Sequence, residues 1–181
     1  MLSYFLIAAV IVAGVAAITD ARTGHIPNWL TLGALVGAIG WHFAAGIAFA
    51  HSWRGGLEGV GASLVGALLC SAVPAFMYWR GAIGGGDIKL FAALGALSTP
   101  LIGIEMEMYA FIAAALIAPA KLAYHGLLFQ TLGRSFSLLA NPFRKVENRK
   151  ELPPEMMTWF RLGPAIFVGA GATLLSHWGE L

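Results

Sequence analysis

Charge is scarce in this chain, and cysteine almost absent. Of 181 residues only 11% are Asp, Glu, Lys or Arg, where soluble domains carry roughly a quarter. That shortage excludes an ordinary soluble domain. The formal net charge of +2 is too small to point to a nucleic-acid partner. A single cysteine, Cys70, excludes an internal disulfide and any cysteine-based zinc site. Lying in an apolar run, it reads as a small packing residue. The histidines, His25, His42, His51, His125 and His177, show no HExxH or other close metal spacing. No metal or other cofactor is expected, and His42 and His51 fall where an outer membrane interface is predicted.

What is abundant is apolar sequence: 59% of residues are hydrophobic and the mean hydropathy is +0.77. The fold class is therefore all-α integral membrane, a single membrane-embedded domain over residues 1–181. Six spans are predicted, at about residues 2–19, 29–50, 57–79, 88–104, 106–124 and 162–178, each near the ~20 residues needed to cross a bilayer. Leu2–Thr19 has no basic residue before its apolar core and runs on into further spans, so it reads as a transmembrane helix rather than a signal peptide. Glu58, Glu105 and Glu107 are expected at the water interface. Glycines in the second and third spans suit close helix packing, and Pro74 and Pro119 suit kinks within a bundle.

Orientation follows from the cations. With both termini outside, one side receives Arg22, Arg80, Lys89, Lys121, Arg134, Arg144, Lys145, Arg149, Lys150 and Arg161, and the other only Arg54. The cation-rich side is the cytoplasmic one. Residues 125–161 form the single long cytoplasmic connection. Leu128, Leu132, Phe136 and Leu139 recur there at helical spacing. Two readings stand: an amphipathic helix on the inner leaflet, with Arg144-Lys145 and Arg149-Lys150 against lipid headgroups, or a plain basic loop.

Two carboxylates stand out against this background. Asp87 follows three glycines in Gly84-Gly85-Gly86-Asp87-Ile88-Lys89-Leu90, at a membrane edge where ionisable groups are costly and usually functional. Asp20 lies at the end of the first apolar run, followed by Ala21-Arg22-Thr23-Gly24-His25-Ile26-Pro27-Asn28. Gly24 and Pro27 make a turn, and Asn28 can cap the second span. Alone, Asp20 reads as an interfacial partner of Arg22 or His25, and Asp87 as a helix N-cap. Together, at one depth on one side, they offer a general acid and a general base, because two close carboxylates cannot both ionise cheaply. Such a pair can activate water against a peptide carbonyl without a metal. Lys89, two positions from Asp87, does not share its helical face and is expected to meet headgroups or substrate.

In these blocks the chain resembles the type IV prepilin peptidases, membrane aspartic proteases of the GxGD type. Asp20 with Ile26-Pro27-Asn28 is similar to that family's first catalytic block, and Gly84 to Leu90 to its second. Arg161-Leu162-Gly163-Pro164-Ala165 is similar to its proline-containing start of the last helix. The resemblance implies that Asp20 and Asp87 are the catalytic pair, supported by Gly84, Gly85, Gly86, Lys89, Pro27 and Asn28. It implies prepilin or pseudopilin substrates, cleaved at the cytoplasmic face of a bacterial inner membrane. The larger bifunctional members carry a methyltransferase region with paired CxxC motifs. This chain shows neither, and resembles the peptidase-only type of tight-adherence pilus systems. Thr19 before Asp20 departs from the Tyr-Asp pair of the presenilin branch.

Competing readings are a rhomboid-like serine protease using Ser63 with His125 or His177, and a small transporter or structural subunit of a pilus or secretion machine. Ser63 lacks the glycine expected after such a nucleophile and reads as an interhelical contact. Proton-coupled carriers usually hold their carboxylates nearer the midplane.

Overall fold

The structure, a computed structural model, describes residues 2–124 and 161–180. They form α1 (Leu2–Thr23), α2 (Asn28–Ala50), α3 (Trp53–Trp79), α4 (Gly85–Ser98), α5 (Pro100–Tyr124) and α6 (Gly163–Ser176), with a closing 3-10 turn at Trp178–Glu180. Among the described residues there is no strand. The amphipathic stretch expected around Leu128 to Leu139 lies outside the described residues. Residues 1–113 and 161–181 make one compact unit. Of the second, residues 114–160, the described part is the end of α5.

Local chemistry explains the helix ends. Pro27 stands extended ahead of α2 (φ −69°, ψ 137°), and His51 closes that helix in the left-handed region at φ 46°. Ser52 then caps α3, its Oγ accepting the Gly55 N–H at 3.2 Å. Pro74 and Pro119 lie inside α3 and α5, as expected.

α4 is the centre of the unit. It packs against α1, α2 and α3, while α1 lies along α6. From Leu90 to Ser98 only Ala92 escapes full burial, and Phe91 stacks on Phe111 of α5 at 5.6 Å. Gly66 of α3 and Gly95 of α4 meet backbone to backbone, each leaving no space for a Cβ. The polar groups in this core are satisfied across helices: Ser63 Oγ donates to the Ala96 carbonyl at 2.9 Å, and His42 Nε2 donates to the Leu97 carbonyl at 3.2 Å.

Four helices, α1, α2, α3 and α5, are long and apolar enough to cross a membrane. They turn large apolar side chains outward, among them Trp29, Val36, Leu68, Val73 and Leu101. This is an all-helical membrane bundle. Two helices are shorter than the other four, however. α4 and α6 have 14 residues each, about 21 Å of helix against a hydrocarbon core of ~30 Å. The fourth run, expected over 88–104, stops at Ser98 because Thr99 sits at φ 80° and Pro100 starts a new helix. Proline opens helices readily but disfavours helical backbone in the residue before it.

Moving that boundary moves two side chains. Glu107, expected at the interface, lies two turns into α5 and is 5% exposed, with no hydrogen-bond partner for Oε1 among the described residues. Glu105 stays half-exposed and meets the end of α6, His177 Nε2 at 2.8 Å and Ser176 Oγ at 3.0 Å. His42, also expected at the interface, is buried instead and stacks on Phe5 with ring centres 4.2 Å apart.

Candidate active site

α1 runs four residues beyond its expected end, so Asp20 occupies its last turn rather than the loop after it. Thr19 and Thr23 return their hydroxyls to backbone carbonyls one turn back. Gly24 ends the helix with φ +68°, a left-handed conformation glycine adopts freely, and its N–H donates to the Asp20 carbonyl at 2.8 Å. The turn of residues 24–27 folds Ile26 inward, to 4% exposure.

Ile26 meets the glycine run. A Cβ on Gly86 would stand 3.3 Å from Ile26 Cβ, so this glycine lets the first turn of α4 press against the α1–α2 connection. The other two glycines have looser surroundings. A Cβ on Gly84 would meet Asp87's own Oδ2 at 3.4 Å, and one on Gly85 would meet Tyr78 at 3.7 Å.

Gly84, not Asp87, is the N-cap of α4. Asp87 stands in the first turn, and its Oδ2 accepts the Gly84 N–H at 3.1 Å. Burial pushes the Asp87 carboxyl up to about 6; the Gly84 N–H opposes this, and the negative charge of Asp20 adds to it. The two carboxylates therefore stand within electrostatic reach of each other. No hydrogen bond joins them among the described residues.

Asp20 is 6% exposed. Its Oδ2 accepts the N–H of Gly163, at the start of α6, at 3.0 Å. The Arg161 guanidinium donates from Nη1 to the carbonyls of Asp20, at 2.9 Å, and of Ala21. Four chain segments thus converge at one end of the unit: the C-terminal end of α1 and the beginnings of α2, α4 and α6.

One expectation is corrected here. Asn28 does not cap α2, since Pro27 holds the capping position and no side chain serves there. Asn28 instead offers Oδ1 to Lys89 Nζ at 2.8 Å, so Lys89 bridges α4 to α2. Arg161 and Gly163 were not among the expected site residues. A cation and a glycine just before Pro164 were the available sign, but which helix end they meet is not written locally. Among the described residues Ser63 has no nucleophilic arrangement: its hydroxyl donates to the Ala96 carbonyl, and His177 belongs to the Glu105 cluster at the opposite end of α6, while His125 lies outside the described residues. Among the described residues no three His, Cys, Asp or Glu side chains gather in a metal-binding group.

Residues 6–119 match the family model of the type IV leader peptidase family. That stretch holds Asp20, Asp87 and the Ile26–Gly86 contact, and ends before Arg161. No curated protein matches the chain, and no solved structure does.

Proposed function

The chain belongs to the type IV leader peptidase family, and from that membership we propose that it is an aspartic endopeptidase whose acid–base pair is Asp20 and Asp87. One observation carries the reading. Two carboxylates from α1 and α4 stand within electrostatic reach of each other at one end of the bundle, and burial favours the protonated form of one of them. Asp87 is the general acid and Asp20 the general base. Asp20 takes a proton from water as the water oxygen attacks the scissile carbonyl carbon, and Asp87 delivers its proton to the carbonyl oxygen. Collapse of the tetrahedral intermediate breaks the C–N bond: the proton held by Asp20 passes to the leaving amine, and a hydroxyl proton of the intermediate returns to Asp87 as the new carbonyl forms.

The substrate on this reading is the leader of a prepilin or pseudopilin. Its apolar helix enters from the lipid, with the scissile bond at the membrane edge. That edge is read as the cytoplasmic side of a bacterial inner membrane, an orientation supported by the bias of ten cations to one. The α1–α2 connection, residues 24–27, is too short to carry the cysteine-paired region of the bifunctional relatives, and the chain removes the leader without methylating the new N-terminus.

Co-expression with a candidate prepilin tests the reading. Leader removal by the parent chain, lost in both Asp20→Asn and Asp87→Asn at equal membrane abundance, is the expected result. Processing by either variant at the parent rate sinks the dyad.

A further inference from the structure

Asp20 is held at two points by one short stretch more than 140 residues away in sequence. Arg161 reaches its carbonyl and that of Ala21, the open C-terminal end of α1, where a cation also meets the negative pole of the helix. Two residues later the Gly163 N–H takes its carboxylate. The approach is so close that a Cβ on Gly163 would lie 2.8 Å from Asp20 Oδ2 and 2.9 Å from its Cβ. The same guanidinium lies beside Gly24, the residue that ends α1: a Cβ there would stand 3.6 Å from Arg161 Nη2, an ordinary contact distance. None of this stretch lies in the residues that match the family model.

We infer that Arg161 and Gly163 are positioning residues for Asp20, a strap that sets its backbone and its rotamer together. The inference rests on the reading of Asp20 as general base. A guanidinium suits the task because it is planar and can serve two neighbouring carbonyls at once, which an ammonium does less well. A glycine suits it because only a backbone without a side chain can bring its N–H to this carboxylate.

The test uses the purified full chain in lipid nanodiscs with a prepilin-type peptide. Arg161→Ala, Arg161→Lys, Gly163→Ala and Asp20→Asn are compared by kcat, KM and thermal unfolding. Because small misplacements at a catalytic group are costly, kcat should fall by roughly a hundredfold in Arg161→Ala and Gly163→Ala. KM should stay within about twofold, as expected when ground-state binding is spared. Arg161→Lys should lie between, and millimolar guanidinium should restore part of kcat to Arg161→Ala alone. Should Gly163→Ala fail to fold, the arginine variants and the rescue decide. Full activity in Arg161→Ala, beside an inactive Asp20→Asn, overturns the strap and leaves the dyad standing. A raised KM at unchanged kcat overturns it too, making Arg161 a substrate contact. So does a loss that tracks melting temperature and resists rescue. An active Asp20→Asn removes the dyad and the strap with it.

Discussion

The amide of Gly163 meets the carboxylate of Asp20 at 3.0 Å across 143 positions of sequence. That contact joins the last helix to the first at the end where Asp87 also stands. It makes the site a product of four helix ends rather than of two motifs.

On the proposed mechanism Asp87, as general acid, carries the pH dependence. Its carboxyl is raised from 3.8 to about 6, first by burial. A general acid must be protonated, so kcat/KM should decline as pH rises through about 6, with the observed value belonging to the coupled pair. Stability moves in the same direction. Between 3.8 and about 6 the folded state holds the proton more tightly than the unfolded chain, so stability falls as pH rises across that window and levels off above it. A pH–rate profile flat from acid to neutral in nanodiscs is the outcome that contradicts this.

The glycines should separate under substitution. Gly86→Val drives a branched side chain into Ile26 and should displace α4 from the α1–α2 turn, costing activity by roughly tenfold or more. Gly84→Val meets only Asp87's own carboxylate, at a backbone φ of −83° that valine tolerates, and should cost far less. Peptidase rates for the two variants at matched abundance check the order. Equal losses would show that the Ile26 contact is incidental.

Lys89 and Asn28 should behave as one unit. Their 2.8 Å bond ties α4 to the start of α2 beside Ile26 and Gly86. Lys89→Met and Asn28→Ala should lower activity by similar factors, and the double variant should be no worse than either, since both remove the same interaction. Additive losses in this double-mutant cycle would place Lys89 on the substrate instead.

Ser63 should prove dispensable for chemistry. Ser63→Ala keeps the helix contact but leaves the buried Ala96 carbonyl without its hydroxyl, at a cost of about 1 kcal/mol of stability. Leader cleavage should persist at the parent rate while the melting temperature drops slightly. Loss of cleavage in a folded Ser63→Ala protein would revive a serine mechanism.

The sequence by itself determined the solvent, the helical class and the end of the bundle where Asp20 and Asp87 lie. These rest on local sums. A run of apolar residues long enough to span lipid must satisfy its backbone hydrogen bonds internally. Two ionisable groups flanking such runs on the same side then share a depth. Even the pairing of a glycine run with Asp87 is local, and so was legible.

Tertiary structure alone decided what each side chain touches. A helix apolar on every face carries no periodic signal for which face turns inward, because lipid and protein interior look alike to it. That is why His42 and Glu107 are buried where the interface was expected. It is also why Ile26 against Gly86, Lys89 on Asn28 and Gly163 on Asp20 could not be read from their own neighbourhoods. The break at Thr99–Pro100 is a partial exception: proline announces a helix start, but the hydropathy of the merged run concealed it. Contacts spanning 60 to 143 positions depend on how neighbouring helices rotate and cross. Only the packed bundle fixes those angles, through pairs such as Gly66 and Gly95 that let backbones touch.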